Sequence, residues 1–205
     1  SEGLLTNEGY YQYDSAHGIG LAIDSDGSRY YGEWKDGLKD GQGEQSINEN
    51  IYIGQFKDDV KHGKGKMTYS NGNLYEGEFQ YDSSQGDGVL NYPNGDKYIG
   101  EFENGTINGQ GVFTSSNGDR YEGEFKEEKY HGLGTLLSSD GSIYIGNWKF
   151  GKFSGNGKMT FENLWVAEGE FLNGNLHGDI TVTNPKGIKD LLFYQYGSLI
   201  QAGEL

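Results

Sequence analysis

Apolar and polar residues alternate along this chain in short stretches, and glycine replaces the apolar residue at fixed places in the alternation. In Arg120-Tyr121-Glu122-Gly123-Glu124-Phe125, the residues Tyr121, Gly123 and Phe125 share one face of an extended chain, while Glu122 and Glu124 point to the other. A period of two over so few residues predicts strands. The same Tyr-x-Gly-x-aromatic pattern begins at Tyr30, Tyr52, Tyr75, Tyr98, Tyr121 and Tyr144, in steps of 22, 23, 23, 23 and 23 residues. A further copy at Ala167 to Phe171 has lost its tyrosine, and a partial first copy survives at Gly9 and Tyr11.

A second alternating stretch, Gly-x-Gly, begins at Gly18, Gly41, Gly63, Gly86, Gly109, Gly132 and Gly155 and decays at Gly178-Asp179-Ile180. Two residues past the second glycine, Met67, Leu90, Phe113, Leu136, Met159 and Val182 fall on that glycine's face. Asp26-Gly27, Asn71-Gly72, Asn94-Gly95, Asn117-Gly118 and Asp140-Gly141 are turn signals, because glycine accepts a positive φ without steric cost. The loop at Ile47 to Ile51 has no glycine and is one residue shorter, which accounts for the single 22-residue step. Glycine on the ring-bearing face leaves room for a Tyr, Phe or Trp ring to lie across the backbone, so a core one side chain deep can hold the sheet.

The expected fold is therefore all-β: an elongated single-layer antiparallel sheet of about eight β-hairpin repeats of 23 residues over 1–183, the first copy partial. Residues 184–205 read as a C-terminal cap or a degenerate ninth repeat. Apolar surface concentrates there in Leu191, Leu192, Phe193, Tyr194, Leu199 and Ile200, suited to covering the last strand or to meeting a second copy in a homodimer.

Composition changes this picture little. Thirty-six glycines and a hydrophobic fraction of 33% would signal disorder if the glycines were not periodic. Thirty-one acidic against 16 basic residues give a net charge of -15, which repels nucleic acid and anionic headgroups and suits a basic or neutral protein partner. The absence of Cys removes a disulfide framework and is compatible with a cytoplasmic setting. No apolar run reaches the ~18 residues of a membrane span, and the N-terminus lacks the order of a signal peptide. A first residue of Ser rather than Met reads as a fragment of a longer chain.

Candidate chemistry dissolves into the repeat. His17, His62, His131 and His177 share one slot, filled elsewhere by Asp40, Gln85, Asn108 and Ser154, and no two His fall in adjacent copies. Copies lie ~10 Å apart, too far for shared ligation, so no metal, no cofactor and no catalytic residue is expected. Glu33, Glu78, Glu101, Glu124 and Glu170 form a carboxylate column interrupted by Gln55 and Asn147. It reads as a solvated polar face or as a rail for a basic peptide. The residue after the signature tyrosine alternates as Ile53, Glu76, Ile99, Glu122, Ile145, which reads either as twist-dependent burial or as an interaction stripe. The rings Tyr75, Phe79, Tyr98, Phe102, Tyr121, Phe125, Tyr144 and Trp148 supply the core. If their face stays open, they line a groove that grips a partner, while Glu78, Glu101 and Glu124 of the carboxylate column are the acidic candidates for partner contact. Two small basic clusters remain, Lys61, Lys64, Lys66 and Lys149, Lys152, Lys158.

The unit Tyr-x-Gly-x-Trp/Phe, then Gly, His-Gly-x-Gly and Asn/Asp-Gly resembles the MORN (membrane occupation and recognition nexus) repeat. Tyr52 to Gly65 and Tyr121 to Gly134 match closely, and the resemblance runs from about Gly9 to Gly178. It implies successive hairpins and a scaffold or adaptor role at membranes, cytoskeletal structures or cilia. The leading expectation is a non-enzymatic, cytoplasmic scaffold in a cytoskeletal or membrane-associated assembly, binding a peptide or helix along an aromatic groove and able to self-associate. The resemblance also implies two alternatives: a phosphoinositide or membrane-recruitment module, in which a basic cluster meets membrane lipid, and a regulatory or substrate-presenting segment of a larger enzyme.

Overall fold

A computed structural model of the chain describes residues 4–7, 10–12 and 15–203, with side chains described over 17–201; the expected partial copy at Gly9 and Tyr11 lies outside the described side chains. Among the described residues every element is a strand, and no helix is long and apolar enough to cross a membrane. The chain forms two units, Ser1–Thr106 and Ile107–Leu205.

The first unit contains β1 (Leu4–Asn7), β2 (Tyr10–Gln12), β3 (Ser15–Ile23), β4 (Arg29–Lys35), β5 (Leu38–Ile47), β6 (Asn50–Lys57), β7 (Val60–Thr68), β8 (Leu74–Gln80), β9 (Ser83–Asn91) and β10 (Lys97–Glu103). From β3 onward each strand pairs antiparallel with the next, and β1 and β2 both pair with β3. The second unit contains β11 (Thr106–Thr114), β12 (Arg120–Lys126), β13 (Lys129–Leu137), β14 (Ile143–Lys149), β15 (Lys152–Thr160), β16 (Val166–Leu172), β17 (Asn175–Thr183), β18 (Lys189–Gln195) and β19 (Ser198–Gly203). Here too each strand pairs antiparallel with its successor. Each unit is thus a meander of hairpins in one layer.

Two kinds of turn alternate along each unit. The Asn/Asp-Gly sites close three-residue turns: the Gly72 amide donates to the Tyr69 carbonyl, and the Asn71 side chain accepts from the Asn73 amide. At Asn163-Leu164 the glycine is missing, and Leu164 itself adopts a φ of 64°. The opposite ends close through two-residue turns with both φ positive, as at Asp58 and Asp59. The Ile47–Asn50 loop is of this tighter kind, with Asn48 and Glu49 at the positive φ values, which is why that repeat is one residue short. In successive two-residue turns the second amide donates to the preceding hairpin, as Asp59 does to the Lys39 carbonyl and Gly174 to the Phe153 carbonyl.

Each signature tyrosine lies along its own strand. Tyr52 covers Gly54 and Gly65, where any Cβ would collide with its ring or hydroxyl. Its hydroxyl donates to the Gln55 carbonyl at 2.9 Å, and Tyr75 and Tyr121 do the same to Glu78 and Glu124. The carbonyl lies where a β-bulge interrupts the ladder, between Gly54 and Phe56 in this copy. Phe56 meets Tyr52 and Tyr30 edge-on at 5.1 and 5.0 Å, so rings of successive repeats interlock. In the second unit Tyr130 and Phe153 stack on Tyr121 and Tyr144 as an added layer of rings. At the corresponding position in the first unit, Lys39 and Lys61 place their ammonium groups over Tyr30 and Tyr52.

Candidate interaction surface

The bulge settles the carboxylate column. Gly41, the first glycine of its pair, takes a φ of 110° at the bulge, and Glu33 folds over it. The Glu33 Oε1 then accepts the Gln42 amide at 2.9 Å. Gln55 accepts the Lys64 amide at the same distance, and Glu124 accepts the Leu133 amide at 3.2 Å. In these three copies the position supplies an acceptor oxygen, which Glu and Gln provide alike. The shorter Asn147 donates instead to the Asn156 carbonyl. This role was not legible as chemistry in the sequence, because it depends on a bulge that local alternation does not announce.

The histidine slot is also structural. The His17 Nδ1 accepts the Asp36 turn amide, and Gln85 accepts that of Asn104. The His131 and His177 rings pack on Phe150 and Tyr196, with their Nδ1 atoms buried and unpartnered. Among the described residues no three His, Cys, Asp or Glu side chains converge where a metal ion could be held.

The rings expected to line a groove are instead covered. Tyr75, Phe79, Tyr98, Phe102, Tyr121, Phe125, Tyr144 and Trp148 are each no more than 5% exposed. They form the core. The lysine cluster also changes meaning: Lys61 turns onto the ring face over Tyr52, whereas Lys64 and Lys66 are exposed on the other face. In the second unit Lys149 pairs across the hairpin with Lys152, while Lys158 lies in a separate trough.

That other face is the one left open. Ile19, Tyr31, Ile53 and Ile99 are 47 to 56% exposed there, opposite the face on which Tyr30, Tyr52, Tyr75 and Tyr98 are buried. Ile53, Lys66, Glu76, Val89 and Ile99 are successive cross-strand neighbours from β6 to β10. They form one wall of a trough of about 760 Å³, floored by Gly54, Gly65, Gly77 and Gly88, with Lys64, Glu78 and Asp87 on the far side. The second unit has a trough of about 600 Å³ built from Ile145, Lys158, Glu168 and Thr181 over Gly157 and Gly169. Of the expected partner residues, Glu78 lines the first trough and Glu101 is exposed at the same repeat position, while Glu124 serves the bulge. Of the C-terminal candidates, Leu191, Leu192 and Tyr194 are half-buried in β18, while Phe193, Leu199 and Ile200 are exposed.

A family model, described as MORN repeat, matches residues 30–46, 52–74, 75–97, 98–120, 121–143, 144–165 and 168–178. No curated protein matches the chain. Among solved structures, the wild-type TCP10 domain of Danio rerio CPAP is similar, with a TM-score of 0.51 at 10% identity over 91% of this chain and 89% of that one. The SAS-4 (dCPAP) TCP domain of Drosophila melanogaster, solved in complex with a proline-rich motif of Ana2, gives a TM-score of 0.47 at 13% identity over 86% of this chain and 90% of that one.

Proposed function

The chain belongs to the MORN-repeat family, and from that premise we propose that it is a non-enzymatic scaffold whose open sheet face holds a segment of a protein partner. The observation that carries this reading is the exposure of Ile53 and Ile99 along a glycine-floored trough, with Ile19 and Tyr31 exposed beside Ile53 in a second depression. The repeat's carboxylates and imidazoles support a structural rather than a catalytic role, since Glu33, Glu124 and His17 each hold a backbone amide. Family resemblance suggests a cytoskeletal or membrane-associated assembly as the setting.

A photo-crosslinking amino acid at position 53 tests this. Irradiated in native extract, it should label one recurrent protein segment, and Ile19→Asp with Ile99→Asp should remove the label while the fold persists by circular dichroism. Labelling that is diffuse, or indifferent to those substitutions, rejects the open-face reading.

A second reading concerns the C-terminal hairpin, where Phe193, Leu199 and Ile200 are 42, 53 and 58% exposed. Two copies meet there. Sedimentation equilibrium should show a dimer that Leu199→Asp with Ile200→Asp converts to monomer, and a monomeric parent chain rejects it.

A further inference from the structure

The row Ile53–Lys66–Glu76–Val89 is repeated. Ile145, Lys158, Glu168 and Thr181 are likewise successive cross-strand neighbours, each 92 positions after its counterpart. Intervening copies break the order, since the row Val112–Glu122–Thr135 carries no lysine. Each unit therefore has one row in which an exposed isoleucine is followed by an exposed lysine on the next strand and an exposed glutamate on the one after. Among the described residues the ion pairs lie elsewhere, at Lys61–Asp82, Arg120–Glu122 and His17–Asp36. Both lysines and both glutamates are left free to meet charges from outside.

Resting on the open-face reading above, we infer that each unit docks one amphipathic helical segment of a partner, which lays apolar, acidic, basic and apolar residues in turn over the row. Charge complementarity sets the middle of that order: a carboxylate over Lys66 or Lys158 and a cation over Glu76 or Glu168. Apolar side chains at the ends meet Ile53 or Ile145 on one side and Val89 with Ile99, or Thr181 with Leu191, on the other. Strand addition is closed to the partner, because β6 to β9 and β14 to β17 are already paired on both edges. Spacing selects the helix. Neighbouring strands are ~4.8 Å apart, and a helix rising ~1.5 Å per residue meets one strand every ~3 residues, which is the i, i+3, i+7, i+10 stripe. A β-strand shows side chains on one face every ~6.8 Å, out of step with the row.

The test titrates the full chain with three alanine-based helical peptides of about 17 residues. All carry Leu at i and i+10, and they differ at i+3 and i+7 in having Glu and Lys, two Lys, or two Glu. The Glu/Lys peptide should bind about tenfold tighter than either like-charged one, with two peptides per chain by calorimetry. Glu76→Lys together with Glu168→Lys should transfer the preference to the two-Glu peptide, and a proline at an outward position should abolish binding. Equal or tighter binding of the two-Lys peptide overturns the inference. If that binding still vanishes with Ile53→Asp and Ile145→Asp, the open-face reading survives. No binding of any peptide, retained binding of the proline peptide, or self-association lost with Ile53→Asp also overturns it, the last by giving the face to a second copy.

Discussion

Ala167 and Ile180 together fill the place that a tyrosine and a glycine fill elsewhere. In the preceding repeat Tyr144 lies over Gly146 and Gly157, its hydroxyl at 2.6 Å from where a Gly146 Cβ would stand. In the next repeat the tyrosine position is Ala167 and the second glycine position is Ile180, paired opposite Gly169. The Ile180 Cδ1 reaches to 2.6 Å from the corresponding point on Gly169, and both Ala167 and Ile180 are buried. The same volume is filled from the opposite strand.

A double-mutant cycle should therefore show strong coupling. Ile180→Gly leaves a cavity and should cost about 3 kcal/mol, and Ala167→Tyr overpacks the site at about 2 kcal/mol. The double variant restores the regular repeat and should lie near the parent by denaturant unfolding, so that the coupling approaches the sum of the two single losses, about 5 kcal/mol. Additive losses would show that the two positions are independent.

Glycines should divide by what stands over them. Gly65→Ala drives a methyl into the Tyr52 ring and should cost about 3 kcal/mol in thermal unfolding. Gly105→Ala meets nothing within 4 Å and carries only the cost of its φ of 82°, about 1 kcal/mol.

At the bulge, Glu33→Gln should be nearly silent, because Gln55 already does the same work in the next repeat. Glu33→Ala removes the acceptor of the Gln42 amide and should cost about 1 kcal/mol, with faster exchange of that amide by NMR.

Alkali should unfold the protein through its tyrosines. Burial raises the Tyr52 and Tyr144 hydroxyls to about 12, and Tyr30, Tyr75, Tyr98 and Tyr121 shift in the same direction for the same reason. The unfolded chain releases these protons near pH 10 while the folded chain keeps them. Stability is therefore fully present below about pH 10 and falls as pH rises toward about 12, by up to about 1.4 kcal/mol per pH unit for each tyrosine. Unfolding followed by circular dichroism should begin near pH 10 and move upward in Tyr52→Phe, which has no proton to lose.

The hairpins were legible because Tyr121, Gly123 and Phe125 declare a face, and because Asn117-Gly118 declares a turn. The packing of rings on glycines was legible for the same reason: only a missing side chain makes room for a ring. What escaped was anything set by the bulge. Gly41 and Gly43 look equivalent in the sequence, yet one takes a φ of 110° under Glu33 and the other lies beneath the Tyr30 ring. The open face was half legible. The alternation of Ile53, Glu76 and Ile99 marked it, but the pairing of Lys66 with Glu76 appears only once the strand register is known. That the rings would be buried rather than open as a groove was not legible, because the depth of their burial comes from interlocking between repeats, which no single repeat reveals.

Near-identical repeats invite a particular folding error, in which a hairpin settles one frame too early or too late and still satisfies every backbone bond. The column above the tyrosines guards against it. In the first unit that column reads Lys39, Lys61, Ser84, and in the second Tyr130, Phe153, Leu176, so a one-repeat slip at Lys61 would trade a cation for a hydroxyl and one at Phe153 a stacked ring for an aliphatic chain. The residues that differ most between copies act as proofreading marks on a sheet whose backbone cannot count.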